Sequence, residues 1–112
     1  MSDDLLTTPA GVYERRDEVQ IVDVREPVEW EAGRIEGAVH IPLNELMAGA
    51  GSDLDHDRPV VLVCRVGNRS ELATMMLQAR GYEAHNLVGG MDAWDRQGLP
   101  FTTPDGRPGT VV

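Results

Sequence analysis

Lysine is absent from this 112-residue chain and cysteine occurs once. Without lysine, Schiff-base chemistry is excluded. A single cysteine closes no internal disulfide, which suits a reducing compartment and leaves the thiol of Cys64 to be explained. No apolar run approaches the ~18 residues that span a bilayer. Met1-Ser2-Asp3-Asp4 lacks the cationic start and apolar stretch of a signal peptide. The expectation is a soluble, cytoplasmic protein with no membrane partner. Basic charge is also scarce. The net charge is −9, so there is no basic face to bind nucleic acid. His40, His56 and His85 are scattered without ligand spacing, so no metal site is expected.

The length fits one domain with a real core. Its charge is uneven: residues 1–58 hold fourteen acids and five arginines, whereas residues 59–112 hold five of each. The negative excess therefore lies in the first half and Cys64 in the neutral half.

Residues 1–6 read as a loose start, with Leu5 and Leu6 forming a brief edge strand. Thr8-Pro9 has the form of a helix start, with Val12 and Tyr13 turned to a core. Residues 19–25 are β-branched and mostly apolar, as in a buried parallel strand. Asp23 and Arg25 fall at its C-terminal end, where open α/β sheets bind ligands. They either form an ion pair locking the strand to the next turn or touch substrate. A short helix over 26–33 carries Trp30 as a core anchor, a strand spans 37–41, and a small helix spans 42–47. The glycine- and aspartate-rich segment 48–58 shows no packing signal. Val60-Val61-Leu62-Val63 is the central strand. The helix over 70–80 shows Leu72, Ala73, Met76, Leu77 and Ala79 at helical spacing as its apolar side, with Met75 and Met76 filling the core. A strand at 82–88 and a glycine-led helix at 89–98 follow. Strands and helices alternate, which gives a mainly parallel sheet of about five strands with helices on both faces. The domain is expected to occupy residues 1–100. Residues 101–112, rich in proline and glycine, form a tail draped on the surface or disordered.

The central strand runs directly into Cys64-Arg65-Val66-Gly67-Asn68-Arg69-Ser70 and then a helix. A free thiol titrates near 8.5, and the thiolate is the reactive form. Three features of this stretch lower that value. The thiol faces a helix N-terminus. The N–H groups of residues 65–70 can curl into an anion nest around Gly67. Arg65 and Arg69 add positive charge, and Arg69 is suited to forked contact with an oxyanion. Cys64 could instead be a small buried hydrophobe, but a core thiol needs neither Gly67 nor two arginines nor an immediate helix start. Nucleophile and anion receptor coincide, so the substrate is an anion attacked at sulfur or phosphorus.

This loop resembles the active-site loop of the rhodanese-like sulfurtransferases, and the likeness extends along most of the chain. Asp23-Val24-Arg25-Glu26 with Glu29-Trp30 is similar to that family's first signature. Gly33-Arg34-Ile35-Glu36-Gly37-Ala38-Val39-His40-Ile41-Pro42 is similar to its second, and Gly89-Gly90-Met91-Asp92-Ala93-Trp94 with Gly98-Leu99-Pro100 to its last. Arg34 stands where histidine is usual and His40 where asparagine is usual; effects on packing or partner choice are expected there. The resemblance implies a single rhodanese-like domain working without cofactor. Cys64 takes a sulfane sulfur from a donor such as thiosulfate, becomes a persulfide, and passes the sulfur to a thiol, to cyanide or to a protein acceptor. The amides of residues 65–70, with the Arg65 and Arg69 side chains, hold the donor.

Two other functions compete. A cysteine phosphatase also uses a cysteine, a backbone cradle and a final arginine. It places five residues between cysteine and arginine, whereas four separate Cys64 from Arg69. The shorter loop makes a nest sized for one sulfur atom. A non-enzymatic persulfide carrier or interaction module for a protein partner would share the same thiol.

Overall fold

The computed structural model describes residues 5–112. The expected loose start therefore lies outside the described residues except for Leu5 and Leu6, which form a short 3-10 turn and not an edge strand. The first helix, α1 (Pro9–Glu14), begins as the sequence predicts: the Thr8 hydroxyl accepts from Gly11 N–H and Pro9 opens the first turn.

Four strands make one parallel sheet among the described residues: β1 (Gln20–Asp23), β2 (Val39–His40), β3 (Val60–Val63) and β4 (Ala84–Asn86). Their order is β2-β1-β3-β4. The chain builds outward from β1 on one side, then crosses back to lay β3 and β4 on the other. The point where the order reverses lies between β1 and β3, and the crevice at their C-terminal ends is where such sheets take ligands. Asp23 pairs with Val63 there, one residue before Cys64.

The helices α2 (Pro27–Ala32), α3 (Leu43–Met47), α4 (Asn68–Ala79) and α5 (Gly90–Arg96) complete the fold. Side chains alternate across a strand. Val22, Val24, Val60, Leu62 and Cys64 accordingly face α3 and α4, with Leu46 and Leu77. Ile21, Val61 and Val63 face the other way, against Val12, Met91 and Trp94 of α1 and α5. Helices thus cover both faces.

Three further segments depart from expectation. In α4 the buried residues are Ser70, Ala73, Thr74 and Leu77, while Leu72 is 44% and Met75 60% exposed. The Thr74 hydroxyl donates to the Ser70 carbonyl at 2.7 Å, so it enters the core with its polar group satisfied. Trp30 is only half-buried: it stacks on His40 at 4.6 Å and 6°, and the Arg34 guanidinium lies 4.6 Å from its ring centre. The two unusual residues, Arg34 and His40, therefore meet on one indole. Segment 48–58 packs after all, through buried Leu54 and through the Tyr82 hydroxyl, which donates to the Gly51 and Leu54 carbonyls. Residues 101–112 fold back onto the end of α2. Phe101 is buried, Thr102 bridges Arg34, and Thr110 N–H donates to the Ala32 carbonyl.

Candidate active site

Cys64 follows β3 directly and points to the same side as Val60 and Leu62, under the first turn of α4. Gly67, with φ +110°, is the residue before that helix. A side chain there would be strained, so the turn that brings the chain from Cys64 into α4 within three residues depends on glycine. The helix begins at Asn68, earlier than predicted, so Asn68, Arg69 and Ser70 belong to its first turn and the loop proper is Arg65, Val66 and Gly67.

The start of α5 fixes the orientation of that loop. Met91 N–H donates to the Cys64 carbonyl at 2.9 Å and Asp92 N–H to the Arg65 carbonyl at 3.0 Å. In a trans peptide the carbonyl and the following N–H point opposite ways. Tying both carbonyls to α5 therefore turns the N–H groups of Arg65 and Val66 toward the bowl. Gly90 makes this approach feasible: a Cβ at that position would lie 2.3 Å from the Cys64 carbonyl oxygen.

Cys64 Sγ accepts from Gly67 N–H at 3.1 Å and from the Ser70 hydroxyl at 3.2 Å. Burial alone would push the thiol up. The Ser70 hydroxyl and the N–H groups of Ser70, Gly67 and Val66 outweigh burial and hold it below its ordinary value. These contacts, and not the charges of Arg65 and Arg69, are the leading causes.

The Ser70 hydroxyl has a second acceptor, Asn86 Oδ1 at 2.5 Å, while Asn86 Nδ2 donates to the Gly67 carbonyl at 3.1 Å. Asn86, at the end of β4, thus braces the loop from below. Apart from its place at a strand end, nothing in the sequence singles it out.

Both arginines have carboxylate partners. Arg69 makes a forked contact with Glu29 of α2 at 2.7 and 2.9 Å. Arg69 holds the Glu29 carboxyl below the usual carboxylate range, and Glu29 in turn holds Arg69 charged. Arg65, half exposed, lies 3.7 Å from Asp92. Asp23 and Arg25 form a fully buried forked pair, and Arg25 also donates to the Gly33 carbonyl at 2.7 Å. That arrangement joins the end of β1 to the end of α2, the helix that carries Glu29. Among the predicted site residues, then, Cys64, Gly67 and Ser70 converge on the sulfur. Val66 lends its N–H while its side chain is exposed. Asn68 is exposed on the first turn of α4, and Asp23 and Arg25 support from within.

Among the described residues no cluster of three or more histidine, cysteine, aspartate or glutamate side chains could hold a metal, and no helix is long and apolar enough to cross a membrane.

A family model for the rhodanese-like domain matches residues 8–97. A sulfurtransferase of Allochromatium vinosum is 41% identical over 91 residues, which span 80% of this chain and 84% of that protein. A putative sulfur carrier protein of Bacillus subtilis, YrkF, is 38% identical over 77 residues; the match takes in 68% of this chain but only 41% of that protein. Among solved structures, a rhodanese-related protein from Thermoplasma volcanium superposes with a TM-score of 0.80 at 32% identity, covering 85% of this chain and 94% of the other.

Proposed function

The chain belongs to the rhodanese-like family, and on that premise we propose that it is a sulfurtransferase working through a persulfide on Cys64. The Cys64 thiolate attacks the outer sulfur of a sulfane donor such as thiosulfate. The Sγ–S bond forms as the S–S bond of the donor breaks, and sulfite leaves with the electron pair. The inward N–H groups of residues 65–67 and the Ser70 hydroxyl hold the transferred sulfur, and Arg65, Asn68 and Arg69 line the rim over which the donor enters. A thiol or cyanide then removes the outer sulfur and returns Cys64 to the thiolate, which is ping-pong catalysis.

The observation that carries this reading is the pair of donors on Sγ, Gly67 N–H and the Ser70 hydroxyl. They stabilise the thiolate without a general base, so the loop itself favours the nucleophilic form of Cys64. A bowl closed by Gly67 only three residues after Cys64 suits a single sulfur atom better than a phosphoryl group. The name of the YrkF relative supports a second reading, that of a carrier whose persulfide passes only to a partner protein.

Intact-protein mass spectrometry after thiosulfate treatment is expected to show one added sulfur, on Cys64. Reduced, folded protein that gains no sulfur refutes the mechanism. Turnover with small acceptors supports the enzyme, and a stable persulfide discharged only by a protein supports the carrier.

A further inference from the structure

The mouth of the bowl is poor in free positive charge. Arg69 is engaged at both of its terminal nitrogens by Glu29. Glu29 is held there for a local reason as well: its Oε1 accepts from Glu26 N–H at 2.9 Å in the first turn of α2. Glu26 adds a further negative field on Arg69, and Arg65 has Asp92 at 3.7 Å. Two guanidinium groups thus stand against three carboxylates, beside a thiolate, in a chain of net charge −9. A dianion such as thiosulfate enters that field at a disadvantage. The same rim carries exposed apolar surface: Val66 is 48% and Val88 62% exposed. The glycines that follow them meet, since a Cβ on Gly67 would lie 3.4 Å from the nitrogen of Gly89. Thiosulfate has no carbon to place on that surface.

We infer that the preferred donor is an organic persulfide whose carbon chain bears no acidic group, and that Glu29 sets this preference by occupying Arg69. The inference rests on the sulfur-transfer reading above. The step balances without a co-reactant. The Cys64 thiolate attacks the terminal sulfur of R–S–SH, the Sγ–S bond forms, and R–S⁻ leaves with the electron pair of the broken S–S bond. The proton on the terminal sulfur stays with it, and that sulfur keeps its oxidation state. Glu29 acts here as a positioning residue, because it works on the donor through Arg69 and not by contact with the reacting sulfur.

The test compares cysteamine persulfide with thiosulfate on the full chain, with one common acceptor, for the wild type and Glu29→Gln. Glutamine keeps an oxygen for Glu26 N–H but turns an NH2 group toward Arg69, which breaks the fork and removes the charge. In the wild type, kcat/KM for cysteamine persulfide is expected to exceed that for thiosulfate by about tenfold or more, the effect of about one partly screened charge at short range. In Glu29→Gln the thiosulfate-to-persulfide ratio is expected to rise about tenfold, through KM for thiosulfate. A wild type that prefers thiosulfate, or a ratio that stays in place in a folded Glu29→Gln, overturns the inference. Should that variant not fold, the wild type alone decides. Repulsion at the mouth predicts that thiosulfate kcat/KM rises with salt, and a fall with salt overturns the inference. Thiosulfate loading Cys64 while cysteamine persulfide does not sinks this inference only; neither donor loading Cys64 sinks the sulfur-transfer reading with it.

Discussion

Replacing Ser70 by alanine should lower the ratio of thiolate to thiol at Cys64 about tenfold. The Ser70 hydroxyl is fully buried and has one proton for two acceptors, Cys64 Sγ at 3.2 Å and Asn86 Oδ1 at 2.5 Å. When the sulfur is ionised the proton serves the anion; when it is protonated the proton turns to Asn86. A hydrogen bond to a charged group is worth about 1.5–3 kcal/mol. Giving up Asn86 discounts that to the low end, so the variant loses about 1.5 kcal/mol of thiolate stabilisation. By the rule that ~1.4 kcal/mol is a factor of ten, its ratio of thiolate to thiol at a given pH falls about tenfold. The sign is fixed: removing a donor to the charged form pushes an acid up. The fold should survive, because alanine is the better helix former and the Ser70 carbonyl that receives the Thr74 hydroxyl is unchanged. Because the chain has one cysteine, the ultraviolet absorbance of the thiolate, followed against pH and corrected with Cys64→Ala, reads this group alone. Linkage gives a second readout. Since the folded thiol lies below its unfolded value, its contribution to stability is complete above the unfolded value near 8.5 and is lost as pH falls through the folded one. That pH-dependent portion should shrink in Ser70→Ala. A titration curve superimposable on the wild type would refute the reasoning and leave the anion to the backbone amides alone.

Gly90→Ala should destabilise the fold by more than about 2 kcal/mol in urea unfolding, because Gly90 has φ +56° and the added carbon would lie 2.3 Å from the Cys64 carbonyl. A neutral result there would show that α5 can retreat without disturbing the loop. Arg25→Met should cost about 3–5 kcal/mol by stranding the buried Asp23 carboxylate, and the double variant with Asp23→Asn should recover part of the loss. A strictly additive double variant would count against coupling between the two.

Much of this arrangement could be read from the chain, because it is local. Val60-Val61-Leu62-Val63 could only be a buried strand, Thr8-Pro9 a helix start, and Cys64 to Ser70 a cradle, since each depends on neighbours in sequence. What escaped depends on distant partners. Arg69 looked free for substrate because Glu29 lies 40 residues away. Asn86 was hidden because its role arises from the pairing of β4 with β3, which sets Leu62 beside it. In α4 the apolar count favoured Leu72 and Met75 for the core, yet Ser70 and Thr74 are buried there with their hydroxyls satisfied, Ser70 by Cys64 and Asn86 and Thr74 by the Ser70 carbonyl. Leu5 and Leu6 suited a strand but lie in a turn, so the sheet has four strands among the described residues where about five were expected.

The same alternation that divides the core into two halves also delivers the nucleophile. Val60, Leu62 and Cys64 share one face of β3, while Val61 and Val63 share the other. A slip of one residue would turn Val63 toward α4 and bury the thiol against α1 and α5, away from Gly67 and Ser70. All four residues of β3 are completely buried and alike, so the strand alone does not define its register. Definition comes from its ends. Pro59 accepts from Gln20 N–H at the start, and at the far end the Cys64 and Arg65 carbonyls accept from Met91 and Asp92. The contacts that shape the bowl therefore also hold the strand in the one register that fills it with sulfur, which ties the stability of the sheet to the readiness of the thiolate.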